Sequence, residues 1–202
     1  MNKEELIASG LLELYVLGET ELEENQLIED LVFIYPDVRK ELNEIELSLE
    51  KLALANAITP DPIVKPFLLA TLDYIDRIKN GEVMIKPPLL NENSVRDDYN
   101  QWLNREDLKP TEEVEDVFAK IIYAKPGLTT AIVWIKYMAP QEVHDDEYES
   151  FLILEGTCDI YVEKDVFSLQ AGDVLTIPLH KSHHVLVTSE VPCKVILQRL
   201  AA

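Results

Sequence analysis

Apolar residues recur at helical spacing from the start of the chain to about residue 80, and short runs of β-forming residues take over after residue 111. Leu6, Ile7, Leu11, Leu14, Tyr15 and Leu17 form one stripe that stops at Gly18, a residue suited to a helix C-terminus. Thr20 followed by Glu23 reads as a capping box opening a second helix with Leu27, Ile28, Leu31 and Ile34. Pro36 suits the first turn of a third helix. In it Val38, Leu42, Ile45, Leu49 and Leu52 alternate steps of four and three, the spacing of a coiled-coil seam. Asp61-Pro62 opens a fourth helix through Ile63, Phe67, Leu68, Leu72, Ile75 and Ile78. The pattern predicts a small helical domain over residues 1–80.

Residues 81–110 have the composition of a linker: Gly81, Pro87, Pro88, Pro110 and several asparagines, with one short helix expected around Arg96 to Leu103. Beyond them FAKIIYA, TTAIVWIKYM, SFLILEG, CDIYV, VLTIP, HVLV and CKVILQRL alternate with turn signals such as Lys125-Pro126-Gly127 and Ala171-Gly172-Asp173. About eight closely spaced strands predict a β-sandwich or barrel over residues 111–202. The expected fold class is α + β in two domains, about four helices followed by an all-β barrel.

Composition narrows the function. Eighteen basic residues against 38 acidic ones give a net charge of −20, which argues against direct binding to nucleic acid phosphates. The deficit is spread along the chain, with 11 basic and 23 acidic side chains in residues 1–110 and 7 and 15 in the rest. No apolar run approaches the ~20 residues that cross a bilayer, and MNKEELIASG lacks the layout of a secretory signal. Two cysteines, Cys158 and Cys193, are too few for a disulfide scaffold and are expected as small core residues. A cytoplasmic protein without membrane or nucleic acid contacts is the expectation.

All four histidines fall in the β half, His144 in PQEVHDDEYESFLILEG and His180, His183 and His184 in GDVLTIPLHKSHH. Two groups of ligand-type residues some forty positions apart can converge inside a closed barrel, and imidazole with carboxylate suits a first-row divalent metal. Glu142 and His144 share one strand face, Glu149 belongs to the next strand, and His183 follows a proline-marked bend. His184 alternates to the opposite face from His183, and His180 is a rim residue.

This segment resembles a cupin, a small jelly-roll barrel. Glu142-x-His144-(x)4-Glu149-(x)6-Gly156 matches the first cupin motif, with Glu142 standing for its first histidine. Gly172, Pro178 and His183 match the second, with His180 and Val187 departing from it. The resemblance implies a divalent ion (zinc, iron, manganese or nickel) held by Glu142, His144, Glu149 and His183, with a small-molecule ligand in the barrel as a further implication.

The helical half, with its LYVLG phrase, glutamate-rich second helix, IYPDV turn and long third helix, resembles the zinc-free branch of anti-sigma N-terminal domains. Together the two halves resemble anti-sigma factors of the ChrR type. That implies a transcription regulator sequestering an extracytoplasmic-function sigma factor, with the cupin as metal-binding sensor and no catalysis required. Two other uses of the sequence stand beside it. One is a metal-dependent cupin enzyme of dioxygenase or isomerase type. The other is a structural or storage-like cupin with a helical dimerisation arm, a homodimer for which the Val38–Leu52 seam offers a surface.

Overall fold

In a computed structural model describing residues 1–202, Gly10 splits the first predicted stripe into two helices, α1 (Lys3–Ala8) and α2 (Leu11–Leu17). Gly10 has φ +78°, a left-handed conformation that interrupts the helix and that glycine adopts without a steric penalty. Asn2 caps α1 through its side chain, which accepts from the Glu5 amide at 2.8 Å while the Glu5 carboxylate accepts from the Asn2 amide. The second helix, α3 (Leu22–Ile34), begins one residue later than the sequence suggested. Its box is made by Glu21 and Glu24, and Thr20 instead bonds Asn25. Pro36 occupies the first turn of α4 (Pro36–Ala55), as expected.

These four helices form the unit Met1–Thr59. Its centre is small: Leu6, Leu12, Ile28, Val38 and Leu42 are buried, with Ile7, Leu11, Leu31 and Ile45 packed around them. The seam of α4 is used only in its first half, and Leu52 is exposed.

The expected boundary at residue 80 needs correcting, because the chain divides between Thr59 and Pro60. The predicted fourth helix, α5 (Val64–Lys79), belongs to the β half. Ala70 and Tyr74 of α5 are buried in the same core as Ala119 and Ile121 of β1 (Val117–Lys125), with Phe67 and Ile78 against it. The Tyr74 hydroxyl accepts from the Ala124 amide at 3.1 Å, and Arg77 donates to the Ile121 carbonyl. The helical period records an apolar face but not what covers it, which is why this helix read as part of the first domain.

Eight further strands follow: β2 (Leu128–Ile135), β3 (Met138–Glu142), β4 (Glu147–Glu155), β5 (Thr157–Val162), β6 (Asp165–Gln170), β7 (Val174–Ile177), β8 (His183–Val187) and β9 (Cys193–Ala201). They make two antiparallel sheets, ordered β1-β2-β9-β4-β7 and β3-β8-β5-β6. The sandwich is the expected one, with two differences in detail. TTAIVWIKYM is divided between β2 and β3, and β6 was missed because DVFSLQ is almost wholly exposed.

Strands of the larger sheet are apolar on both faces. Val133, Ile135, Ile153, Val195 and Leu197 point into the sandwich, whereas Ile132, Trp134, Leu152, Leu154 and Ile196 point outward. The outer face is covered by the segment expected to be a linker. It carries a 3₁₀ turn at Arg96–Tyr99, α6 (Asn100–Leu103) and a second turn at Glu106–Leu108. Tyr99, Trp102, Leu103 and Leu108 are buried there, and the Tyr99 hydroxyl, pushed up to about 12 by burial, donates to the Pro88 carbonyl. The later part of the expected linker, residues 90–108, is therefore a packed layer, while Val83 to Ile85 are exposed. The near-continuous apolar runs of β2, β4 and β9 follow from burial on both sides.

Candidate metal centre

Residue parity along the strands aims the site inward. On β4, Glu149 shares the inner face with Phe151 and Ile153, and on β8 His183 shares it with Val185. The two meet across the sandwich, where His183 Nε2 lies 2.8 Å from Glu149 Oε2 and both side chains are almost fully buried. His144, in the turn after β3, closes the group with Nε2 3.6 Å from the same carboxylate oxygen. The ligand atoms of His144, Glu149 and His183 all lie within 4.8 Å of one another.

His144 Nε2 is the one buried side-chain polar atom without a hydrogen bond. An orphaned imidazole nitrogen inside a core is costly unless something else engages it. A divalent ion at ~2.0–2.2 Å from nitrogen and oxygen ligands needs those ligands ~3–3.5 Å apart. The observed 2.8 and 3.6 Å bracket that spacing. Two imidazoles and one carboxylate are also the donor set of a 2-His-1-carboxylate centre. The residues fit a metal.

Glu142, the fourth expected ligand, stands beside this group and is engaged elsewhere. Its Oε2 accepts from Arg199 Nη2 at 2.7 Å and lies 3.3 Å from His144 Nε2. Arg199, on β9 directly opposite Glu149 of β4, also donates through Nε to Glu149 Oε1 at 2.8 Å. Burial works against the charge of Glu149, but the two imidazoles and the guanidinium outweigh it and hold this carboxyl far below its usual range. Glu142 goes the other way, raised by burial and by the neighbouring Glu149 charge. For His183, burial favours the neutral ring, yet the Glu149 carboxylate raises it overall.

The remaining histidines are where alternation put them. His184 faces away and stacks on Tyr161, its cross-strand partner, at 4.5 Å between ring centres. His180 is exposed at the rim, 3.1 Å from Asp145, and its amide donates to the His144 carbonyl, which ties down the turn that carries His144. Cys158 and Cys193 are free and buried.

Arg199 and Phe67 were not anticipated. Arg199 could have been found by continuing the inward parity of Val195 and Leu197 on β9, whereas no sequence signal brings Phe67 of α5 over its guanidinium, 5.2 Å from the ring centre. Ile63, Phe67, Glu142, Glu149, His183 and Arg199 border a cavity of only about 20 Å³.

Residues 133–198 match the cupin domain family, and this stretch of the chain is a cupin domain. No curated protein matches the sequence significantly. Among solved structures, the Cnp3 cupin domain of Schizosaccharomyces pombe is 13% identical, covering 46% of this chain and 71% of that one with a TM-score of 0.42. KdgF from Halomonas sp. is 18% identical, with 48% and 92% covered and a TM-score of 0.42. A predicted oxalate decarboxylase from Thermotoga maritima is 17% identical, with 43% and 81% covered and a TM-score of 0.41.

Proposed function

We propose that this chain is a regulator in which residues 1–59 cover a protein partner of the sigma factor class and the cupin holds a divalent ion as its sensing element. The observation that carries the partner reading is the imbalance of the helical unit. It buries five side chains completely or nearly so, yet leaves Leu22, Phe33, Ile34, Leu47, Leu52, Leu54 and Ile58 exposed, Phe33 and Ile58 at 84% and 91%. A unit of this size with so small a core gains little from its own packing, and exposed apolar side chains in such numbers mark an interaction surface. Fourteen acidic side chains against four basic ones give that surface the sign that steers it to a DNA-binding, basic protein.

For the ion, the support is the unpartnered His144 nitrogen aimed at Glu149 and His183. When bound, the ion would supply a Lewis-acid centre whose occupancy or oxidation state reports conditions inside the cell. His144, Glu149 and His183 would hold it, and Arg199 would neutralise the outer oxygen of Glu149. The cavity of about 20 Å³ beside these ligands admits one water or ion and excludes an organic substrate in this conformation. The 2-His-1-carboxylate donor set is the one observation that supports a dioxygenase instead, and the small cavity beside it stands against that reading.

Co-expression of the full chain with each extracytoplasmic-function sigma factor of its own cell tests the reading. A stoichiometric complex is expected with one of them, lost in a Phe33→Asp/Leu47→Asp variant and kept in the parent. Absence of any complex across that set refutes the regulatory role.

A further inference from the structure

Arg199 occupies the space between two acids that the sequence alone would offer to a metal. Its Nη2 holds Glu142 Oε2 at 2.7 Å and its Nε holds Glu149 Oε1 at 2.8 Å, so one planar guanidinium bridges carboxylates from β3 and β4. Glu149 still presents Oε2 to the two imidazoles, because its two oxygens are divided between Arg199 and the histidines. The Glu142 oxygen that approaches His144 is the same oxygen that accepts from Arg199. Arg199 is itself held: β9 pairs it with Glu149 in register, Glu147 lies 3.6 Å from its Nε, and Phe67 covers its guanidinium.

We infer that Arg199 is a positioning residue that withholds Glu142 from the ion and so restricts the centre to His144, Glu149 and His183. This rests on the metal reading given above and sharpens it. A centre of three protein ligands leaves coordination positions open to water or a small exogenous ligand, whereas a fourth ligand, the Glu142 carboxylate, would close one. Glu142 Oε2 already sits at ligand-to-ligand spacing from His144 Nε2, 3.3 Å, so freeing it requires no movement of the backbone. The guanidinium has an opposing effect on the bare protein, where it is the cation between two buried acids, and its loss there leaves Glu142 and Glu149 facing each other.

The test is calorimetric titration of metal-depleted full-length chain with Zn²⁺, paired with Co²⁺ electronic spectra as a report of coordination number, on the parent, E142Q, R199M and R199M/E142Q. The R199M chain is expected to bind at least about tenfold tighter than the parent, since a cation leaves and a carboxylate joins. Glu142→Gln should weaken the parent only through the lost charge, and should cost at least about tenfold more in the R199M background, where it also removes a ligand. The Co²⁺ spectrum should change between the parent and R199M and revert in the double variant. R199K keeps the charge without the fork and serves if R199M fails to fold, because it should show the same dependence on Glu142. Equal loss from E142Q in both backgrounds would mean that Glu142 is already a ligand and would overturn the inference. Weaker binding by R199M with no Glu142 dependence would reduce Arg199 to a structural cation. A parent chain that takes up neither ion would remove the metal reading itself, and the inference with it.

Discussion

Phe67 lies over the guanidinium of Arg199, 5.2 Å from ring centre to its central carbon, and thereby joins α5 to the charged floor of the sandwich. Such a contact adds to the apolar burial of Phe67 against the core. The five-stranded sheet has one strand more than its partner, and α5 packs against the surplus edge strand β1. The helix thus closes the sandwich where a tenth strand would otherwise be needed, with Ile63 and Phe67 bordering the cavity next to Glu149 and His183.

Phe67→Ala should therefore open the site. A loss of about 2–3 kcal/mol in stability is expected from the missing ring. More tellingly, transfer of bound Zn²⁺ to a chromogenic chelator should speed up severalfold at unchanged ligand residues. Equal release rates in parent and variant would show that the ion enters by another route.

The division at Thr59/Pro60 makes a second prediction. A fragment of residues 60–202 retains Ala70, Tyr74 and the hydrogen bonds of Tyr74 and Arg77 to β1, whereas one of residues 80–202 loses them all and bares Ala119 and Ile121. The longer fragment is expected to melt cooperatively and stay monodisperse. The shorter one should aggregate or melt at least about 10 °C lower, given the burial of Tyr74, the packing of Phe67 and Ile78 against the core, and the two bonds to the β1 backbone. Indistinguishable melting curves would return α5 to the helical half.

The sequence disclosed the strands better than the way they are covered. The runs in β2, β4 and β9 are continuous rather than alternating, and that continuity is the mark of a sheet buried on both faces. That mark went unread in the sequence, and the layer it implies is supplied by the segment around Tyr99 and Trp102, despite its prolines and asparagines. Local composition registers the irregular backbone of that segment and is blind to its aromatic anchors. Within the site, motif spacing singled out His144, Glu149 and His183, and strand parity aims Glu149 and His183 inward, whereas β3 ends at Glu142 and His144 lies in the turn beyond it, off the strand face expected for it. Glu142 shares that parity, and its pairing with Arg199 was hidden because β9 lies more than fifty residues away and nothing in a single chain marks which acid an arginine will meet.

Acid should loosen the attachment of α5 before it disturbs the sandwich core. Asp73 is raised by burial but lowered more by its bonds to Lys120 and Arg77, and Glu82 is lowered in the same way by Arg105 and Arg77. Carboxyls depressed in the folded state stabilise it fully above their unfolded values, about 3.9 for Asp and 4.3 for Glu, and lose that contribution as pH falls through the folded ones. Urea unfolding at pH 7, 5, 4 and 3 should show parent stability falling most steeply below about pH 4. A D73N/E82Q variant should be weaker than the parent at pH 7 and lose less on acidification. Parallel curves for the two would disconnect these carboxyls from the acid response.

Gly156 and Gly172 both have positive φ, +75° and +98°, yet their surroundings differ. A Cβ at Gly172 meets nothing within 4 Å, so Gly172→Ala carries only the backbone strain of the left-handed region, about 1–2 kcal/mol. A Cβ at Gly156 would sit 2.7 Å from Ser189 Oγ, 3.0 Å from the Pro192 carbonyl and 3.1 Å from Cys193 Cα. Two of those three neighbours are backbone, at the entry to β9, and the third is the hydroxyl that accepts from the Thr157 amide. Gly156→Ala should accordingly cost at least about 1–2 kcal/mol more than Gly172→Ala in denaturant unfolding. Because β9 carries Arg199 at its far end and pairs with β4 from Lys194 to Ala201, with one irregularity at Ile153/Glu155, the displacement should also be read in the site, as a weaker affinity for Zn²⁺ in G156A than in G172A. Equal stabilities would mean that the turn before β5 can shift without moving β9, and an unchanged affinity would confine any shift to the near end of that strand.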